Sequence, residues 1–275
     1  MTELAGGHGA QAPPAGRGAA FFDLDKTLMQ GSSGFQFARV VRAAGLISRR
    51  QLARDAVANL RFRLRGVSDD ESHALRIRIA SSLAGVRVRD LERLGVHALK
   101  RILPRLYPQM LKLAYEHQDA GRPVYIVTAA SQDMALVLAR VMSFDGALGS
   151  TLSEVQDGVF TGRPAGDFLY GAAKAEAITR LALREGLDLE ASFAYSDSAS
   201  DAPMLRAVGH PVAVNPDAEL ERLAREAGWQ IMRLDRLGLK LRLAGALAVA
   251  ATASATTAAV LGRGGRLQTP TVGGR

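Results

Sequence analysis

The sequence predicts an α/β protein whose core is a doubly wound parallel sheet interrupted by an all-helical domain. Short apolar runs of strand length alternate with segments of helical periodicity, a pattern typical of parallel sheets. The stretch between the first and second runs is helical throughout and has the character of an insertion. Three of the runs end in acidic or hydroxyl residues, which places the candidate chemistry at one edge of the sheet.

The predicted strands are apolar runs bounded by polar residues, as expected for strands buried on both faces. They cover residues 19–25, 123–127, 192–195, 211–214 and 229–234. Asp23 and Asp25 end the first run, and Thr128 follows the second. Asp197 and Asp201 follow the third. Because ligands of such sheets bind beyond the carboxyl ends of the strands, these side chains are expected to meet.

The domain boundaries follow from composition and periodicity. Residues 1–18 are rich in Gly, Ala and Pro and lack an apolar run, which predicts a flexible tail and no secretory signal. Residues 19–33 and 121–234 form the predicted α/β core, and residues 34–120 form an all-helical insertion. Residues 235–275 make a basic and hydrophobic C-terminal tail.

Composition excludes several classes of function. The 275-residue chain is 48% hydrophobic, enough for a sizeable core, and has no cysteine, which removes disulfides, thiolate metal sites and cysteine nucleophiles. The missing cysteines fit a reducing compartment, and the expected location is the cytoplasm. A net charge of +8 favours anionic partners, but nucleic acid is disfavoured because aromatic residues are only 5% and no nucleic-acid-binding motif occurs.

The acidic residues at the strand ends suit a hard metal ion. Asp23, Asp25 and Asp197 form a carboxylate cluster without histidine or cysteine, which is the donor chemistry that Mg²⁺ prefers. Thr128 and Lys174, the latter on a predicted helix, would supply a hydroxyl donor and a positive charge. Phosphoryl transfer depends on positioning and charge neutralisation, and this set of side chains offers both.

The same residues resemble the motifs of the haloacid dehalogenase (HAD) superfamily. The segment FDLDKTL at 22–28 is similar to its first motif, Thr128 to its second, Lys174 to its third, and the segment 197–201 to its fourth. Four motifs in the expected order are specific where a single acidic pair is not. The helical insertion resembles the cap of subfamily IB, which contains the phosphoserine phosphatases.

The resemblance implies a role for each acidic residue. Asp23 would attack phosphorus and become an aspartyl-phosphate, while Asp25 would protonate the leaving oxygen and then deprotonate the hydrolytic water. Mg²⁺ would be held by the Asp23 carboxylate, the Asp25 backbone carbonyl and Asp197. The fold implied is a Rossmann-like HAD core.

The resemblance also assigns the phosphate-binding groups. Thr128 and Lys174 would bind the phosphoryl oxygens, and Asp201 would orient Lys174 or the waters of the metal. The activity implied is hydrolysis of a small phosphorylated metabolite, because a cap that closes over the site excludes bulky substrates. Two alternatives stay open: phosphotransfer to another acceptor, as in a mutase, and a catalytically silent regulatory protein that uses the fold to bind a partner. The oligomeric state is not indicated.

Two related chemistries are disfavoured by the first motif. Asp25 provides an acid that a dehalogenase does not need. The triplet at 25–27 is similar to that of P-type ATPases, but alignment on Thr27 makes Asp23 the nucleophile, and the chain lacks the many membrane spans of a pump. Phosphoserine phosphatases place a glutamate nine residues after the nucleophile, where it engages the substrate amino group. Here that position is Ser32, which argues against phosphoserine as substrate.

The C-terminal tail contains an uncharged segment that begins at Leu243 and ends at Leu261. Its length is sufficient to cross a bilayer, but its many alanine, serine and threonine residues make insertion marginal. The larger cluster of basic residues precedes the segment, an arrangement that would leave the enzyme cytoplasmic if the segment spans. Membrane contact through this segment and packing as an Ala-rich helix on the protein are both left open.

Overall fold

A computed structural model describes residues 16–45 and 69–234 of the chain. The chain divides into two compact units, Met1–Met232 and Arg233–Arg275, and only Arg233 and Leu234 of the second unit are described. The segment from Leu243 to Leu261 therefore lies outside the described residues, as does most of the predicted N-terminal tail. In the described part of the chain, none of the helices combines the length and apolar character that a membrane crossing needs.

The core is a six-stranded sheet in which every neighbouring pair is parallel. Its strands are β1 (Ala20–Phe22), β2 (Val124–Ser131), β3 (Gly146–Ser150), β6 (Phe193–Ser196), β7 (His210–Val214) and β8 (Gln230–Met232). Their order is β3-β2-β1-β6-β7-β8. Two further strands, β4 (Val155–Gln156) and β5 (Val159–Phe160), pair as a separate antiparallel hairpin. The predicted parallel α/β fold is confirmed.

Helices lie between the strands along the chain. Those between β1 and β2 are α1 (Ser33–Ala43), α2 (Asp69–Ser82), α3 (Val88–Ile102) and α4 (Pro108–Asp119), with a short 3-10 turn at Leu103–Arg105. Those that follow are α5 (Gln132–Val141), α6 (Ala172–Glu185), α7 (Ala202–Arg206) and α8 (Ala218–Glu226). The described part of segment 34–120 thus contains helices and no strand, as the sequence predicts. That this segment forms a separate cap domain stays a prediction.

The two faces of the sheet are covered by different helices. On one face, alternate strand residues such as Phe21 and Tyr125 join a buried cluster with side chains of α6, α7 and α8. On the other face, the Phe22 ring stacks on Tyr195 with ring centroids 4.4 Å apart and meets the edge of His117 from α4. Because consecutive residues of β1 point to opposite faces, this three-residue strand links both halves of the core.

The strand order reverses at β1, and this reversal creates the site. From β1 the chain runs outward through β2 and β3 on one side, and later through β6, β7 and β8 on the other. The register pairs Phe22 with both Ile126 and Tyr195. The chain segments that follow these three residues therefore lie side by side at the carboxyl end of β1. In doubly wound sheets this reversal point is where ligands bind.

The structure corrects the predicted strands in two respects. Strand β3 was not predicted, because its sequence GALGS is poor in apolar residues and it lies at the sheet edge, paired only with β2. Gly149 is needed there, since a Cβ atom would lie 2.7 Å from the Gln132 Cα. Strand β1 ends at Phe22 rather than Asp25, and β2 continues to Ser131, so Thr128 lies within a strand.

His117 connects helix α4 to the central strands. Its Nε2 atom lies 2.7 Å from the Tyr195 hydroxyl, and its Nδ1 atom accepts a hydrogen bond from Arg122 Nε at 2.8 Å. Burial lowers the pKa of His117 to about 4, and the Arg122 guanidinium acts in the same direction. Protonation of Nδ1 would remove the acceptor that Arg122 uses, so the folded state requires the neutral imidazole.

We expect the stability of the core to depend on His117 in acid. Between the ordinary histidine pKa of 6.5 and about 4, the unfolded chain binds a proton that the folded chain does not. The free energy of unfolding should therefore fall as the pH is lowered through this window, and His117→Gln should flatten the dependence. Urea denaturation at several pH values measures the free energy of unfolding of the native chain and of the variant. The exposed His97→Gln serves as the control, and an equal change in both variants would contradict the assignment.

Candidate active site

The nucleophile predicted from the sequence lies one residue beyond strand β1. The Asp23 amide donates to the Tyr195 carbonyl at 2.9 Å, so the ladder between β1 and β6 continues to the point where the carboxylate leaves the sheet. The side chain is buried, although it sits at the edge of the sheet. The backbone therefore fixes Asp23 at the reversal point of the strand order.

Lys174 binds two of the predicted carboxylates directly. Its Nζ atom lies 2.6 Å from Asp23 Oδ1 and 2.7 Å from Asp201 Oδ2, and all three side chains are buried. Lys174 stands in the first turn of α6, which begins after Gly171 at φ 59°, a conformation that favours glycine. The Ser196 hydroxyl donates to Asp201 Oδ2 at 2.7 Å. Asp201 thus holds Lys174 against Asp23.

Burial dominates the electrostatics of this cluster. Loss of solvent raises the pKa of Asp23 to about 8; Lys174 opposes this shift, while Asp201, Asp197 and Asp25 add to it. Burial alone would lower the pKa of Lys174, but Asp201 and Asp23 together raise it above its usual range, so the lysine is charged. A further cation beside Lys174 would lower the pKa of Asp23 and so favour its ionised form.

Asp197 follows strand β6 and contacts Lys26, to which the motifs assign no role. The Lys26 Nζ atom lies 3.3 Å from Asp197 Oδ2. Burial raises the pKa of Asp197 to about 6 against the opposing effect of Lys26. The Asp197 carbonyl accepts a hydrogen bond from the Asp217 amide at 2.9 Å, which ties this loop to the start of α8. Lys26 belongs to the first motif, and that position was its only signal in the sequence.

Asp25 lies at the start of helix α1. Its Oδ1 atom accepts a hydrogen bond from the Ser33 amide at 2.8 Å, where the helix dipole favours a negative charge. Ser32 caps the same helix, because its hydroxyl oxygen accepts from the Phe35 amide at 3.4 Å. The cap and the Asp25 carboxylate together fix the entry of α1 next to the first motif.

Thr128 is buried within strand β2, beyond the residue that pairs with Phe22. Its Oγ1 accepts a hydrogen bond from the Ala130 amide at 3.1 Å, a role that uses no hydroxyl proton. The register between β2 and β3 is irregular between Val127 and Ser131, so the strand departs from a regular ladder at this threonine. Ser131 then caps α5 by accepting a hydrogen bond from the Met134 amide.

Some of the predicted site residues contact each other directly, and others only lie near the same end of the sheet. Direct hydrogen bonds connect Asp23, Lys174 and Asp201, and Asp197 contributes to the electrostatics of Asp23. Thr128 and Asp25 lie on the segments that leave the same edge of the sheet. Their roles in catalysis stay predictions.

The side chains of the site could hold a hard divalent cation only if backbone or substrate oxygens completed its coordination. In residues 16–45 and 69–234, no three side chains of His, Cys, Asp or Glu form a group that could hold a metal by themselves. The two side-chain ligands predicted here, Asp23 and Asp197, are both carboxylates with pKa values raised by burial. A cation bound between them would remove that penalty, which is the chemistry expected of a Mg²⁺ site.

Fold and site together define an α/β enzyme with an acidic centre at the reversal point of a parallel sheet. Comparison with known proteins agrees. The model of the haloacid dehalogenase-like hydrolase family matches residues 20–206. The chain therefore belongs to this family, and the predicted superfamily and enzyme class are confirmed.

Individual relatives agree with this assignment. A phosphoserine phosphatase of Mycobacterium tuberculosis is 39% identical over 258 residues, covering 92% of this chain and 83% of the relative. A crystal structure of a Bordetella pertussis protein of unknown function shares 26% identity with a TM-score of 0.70, covering 80% of this chain and 100% of that one. A structure described as a phospho-aspartyl intermediate analogue of phosphoserine phosphatase shares the fold, with a TM-score of 0.60, 23% identity and coverage of 83% and 99%.

Removal of the Lys174 ammonium should destabilise the fold. Lys174→Met leaves Asp23 and Asp201 buried without their shared counter-charge, and breaking a buried pair in this way costs about 3 kcal/mol. Denaturant unfolding without added divalent cation measures the loss. The exposed Lys100→Met should change the free energy of unfolding by less than about 0.5 kcal/mol.

A second variant separates charge from packing. Adding Asp201→Asn to Lys174→Met removes one of the stranded carboxylates, so the double variant should be more stable than Lys174→Met alone. A double variant that is less stable than the single one would show that the lysine stem, not its charge, supports the core.

Proposed function

We propose that this protein is a Mg²⁺-dependent phosphatase that hydrolyses phosphate monoesters of small metabolites through an aspartyl-phosphate on Asp23. The observation that carries the proposal is the buried bridge from Lys174 to Asp23 and Asp201 at the reversal point of the sheet. An ammonium group in that position can bind a phosphoryl oxygen while it orients the nucleophile.

In the first step, a carboxylate oxygen of Asp23 attacks phosphorus, and the bond from phosphorus to the ester oxygen breaks. Lys174 occupies Oδ1, which leaves Oδ2 as the attacking atom. Asp25 gives a proton to the departing oxygen, so the alcohol leaves neutral. Thr128 and Lys174 donate hydrogen bonds to the phosphoryl oxygens as charge develops on them.

In the second step, a water molecule attacks phosphorus of the aspartyl-phosphate. Asp25 takes a proton from this water, inorganic phosphate leaves, and the Asp23 carboxylate is regenerated. The bond from the Ser33 amide to Asp25 Oδ1 holds this carboxyl group in one orientation through both steps. The position of Asp25 at the start of α1 thus serves both its acid and its base role.

The residues that would hold Mg²⁺ are Asp23 and Asp197 through their carboxylates and Asp25 through its backbone carbonyl. When bound, the ion would neutralise the acidic cluster and polarise a phosphoryl oxygen. The raised pKa values of Asp23 and Asp197 support this assignment, since both indicate carboxylates that lack sufficient counter-charge from the protein.

The start of helix α1 supports a proposal for the substrate class. At Ser32, nine residues after the nucleophile, the side chain is an uncharged helix cap that offers no counter-charge to an ammonium group. The name of the Mycobacterium relative makes phosphoserine one candidate substrate. Ser32 favours instead a phosphorylated metabolite without an amino group next to the ester.

Replacement of the nucleophile should abolish turnover. Asp23→Asn removes the attacking carboxylate, so we expect kcat to fall by at least about 10³-fold with the fold retained. Release of phosphate from aryl phosphates and a panel of phosphometabolites, with Mg²⁺ or with EDTA, measures this. Mass spectrometry after rapid quenching should detect phosphate on the native chain and none on the variant.

The same assay tests a control variant and distinguishes hydrolysis from phosphotransfer. Asp157→Asn changes an exposed turn carboxylate and should leave turnover intact. Near-normal rates in Asp23→Asn would overturn the mechanism. Transfer of phosphate to an added alcohol in preference to water would identify a phosphotransferase.

A carboxylate at position 32 should shift specificity toward amino substrates. We expect Ser32→Glu to raise kcat/KM for phosphoserine relative to glycerol phosphate, because it supplies the missing counter-charge to the ammonium group. Ser32→Gln has the same length without the charge and should not produce the shift. A native enzyme that already prefers phosphoserine strongly would contradict this account of specificity.

A further inference from the structure

Lys26 is an exposed cation attached to the acidic centre. Its side chain is 47% exposed, whereas that of Lys174 is 4% exposed, yet its ammonium group lies 3.3 Å from Asp197 Oδ2. The proposed reaction gives Lys26 no task. An exposed lysine with a flexible stem can exchange partners at little cost, unlike a buried one.

The backbone at Lys26 is in an uncommon conformation. Its φ angle is 60°, in the left-handed region that side chains with a Cβ rarely adopt. The Lys26 amide donates to the Gly31 carbonyl at 3.1 Å, which closes the loop in this shape. Glycine would adopt this conformation without steric cost, and a residue that keeps its side chain here is a candidate for a functional role.

The balance of charged side chains in the site suggests what Lys26 does. The site contains four carboxyl groups and two ammonium groups: Asp23, Asp25, Asp197, Asp201, Lys26 and Lys174. Asp25 carries a proton as the acid of the proposed first step, so Lys174 and one divalent cation already balance the three remaining carboxylates. Lys26 adds one positive charge to this balance and so favours binding of a phosphate dianion. Lys26 thus opposes binding of the cation and favours binding of the anion.

We propose that Lys26 and a divalent cation compete for the Asp197 carboxylate, and that the displaced ammonium group then binds the phosphoryl group of the substrate. This inference rests on the proposed function, because it assumes that cation and phosphate share the site. Lys26 is one residue from Asp25 and its flexible stem is half exposed, so the ammonium group can move without a change in the backbone. Lys26 therefore couples the two binding events, because binding of the cation would free a group that favours binding of the phosphate.

Cation affinity provides the first test. Free Mn²⁺ measured by electron paramagnetic resonance gives its dissociation constant, and Mg²⁺ follows by competition. Lys26→Met should bind both ions about two- to fivefold more tightly, the effect expected from removing a partly exposed ion pair. Lys112→Met removes an equal charge from an exposed pair on α4 and should leave the affinity unchanged.

Phosphate affinity provides the second test, and the expected change has the opposite sign. With saturating Mg²⁺, phosphorus NMR titration of inorganic phosphate should show about two- to fivefold weaker binding to Lys26→Met. Lys26→Arg should behave as the native chain. Lys26→Gly suits the left-handed backbone and should repeat both changes, which excludes damage to the loop as their cause.

Opposite shifts in the two affinities would support the inference. Unchanged affinities in Lys26→Met, or weakening of both, would overturn it. Neither measurement requires turnover, so the role of Lys26 and the proposed phosphatase activity can be tested independently. If Asp23→Asn abolishes hydrolysis while Lys26→Met changes neither affinity, only the role of Lys26 is wrong. If the affinities shift in opposite directions but no phosphate ester is hydrolysed, only the proposed function is wrong.

Discussion

The buried contact of Lys174 with Asp23 and Asp201 is the interaction on which the rest of the site depends. Moving three charged groups out of water is unfavourable, and only direct hydrogen bonds at 2.6 and 2.7 Å make it tolerable. Lys174 and Asp23 are 151 residues apart in sequence, so their contact requires strand β1 and helix α6 to be correctly placed. Formation of the site and folding of the core are therefore one event.

Several local features serve this contact. Glycine at position 171 starts α6 so that Lys174 falls in its first turn, and Ser196 at the end of β6 holds the second carboxylate. On the opposite face of β1, Phe22 packs against Tyr195 and His117, directly before Asp23. The aromatic packing of Phe22 and the ionic bridge of Asp23 thus restrain two adjacent residues on opposite faces of the sheet. A site that must hold its reacting atoms within a fraction of an ångström requires this support.

The sequence predicted the parts of the fold that local patterns encode. Apolar runs located β1, β2, β6, β7 and β8, and the polar residues after them identified Asp23, Asp197 and Asp201 because strand ends are where such residues gather. The edge strand β3, with its two glycines, lacks that signal and was missed. Lys26 was overlooked for another reason: its contact with Asp197 depends on a left-handed backbone and on strand order, neither of which leaves a mark in composition.

The remaining imbalance of charge in this site supports the proposal that a cation binds there in addition to Lys174. Lys174 is committed to two carboxylates and cannot also neutralise Asp197, whose raised pKa reflects burial with only a partly exposed lysine nearby. A buried lysine gives permanent, rigid compensation, whereas an exposed one gives compensation that can be withdrawn. In the proposed mechanism the two lysines therefore have different roles: Lys174 keeps Asp23 in place, and Lys26 responds to the ions that enter the site. This division would let an acidic centre stay folded before its ligands arrive and still accept a phosphate dianion afterwards.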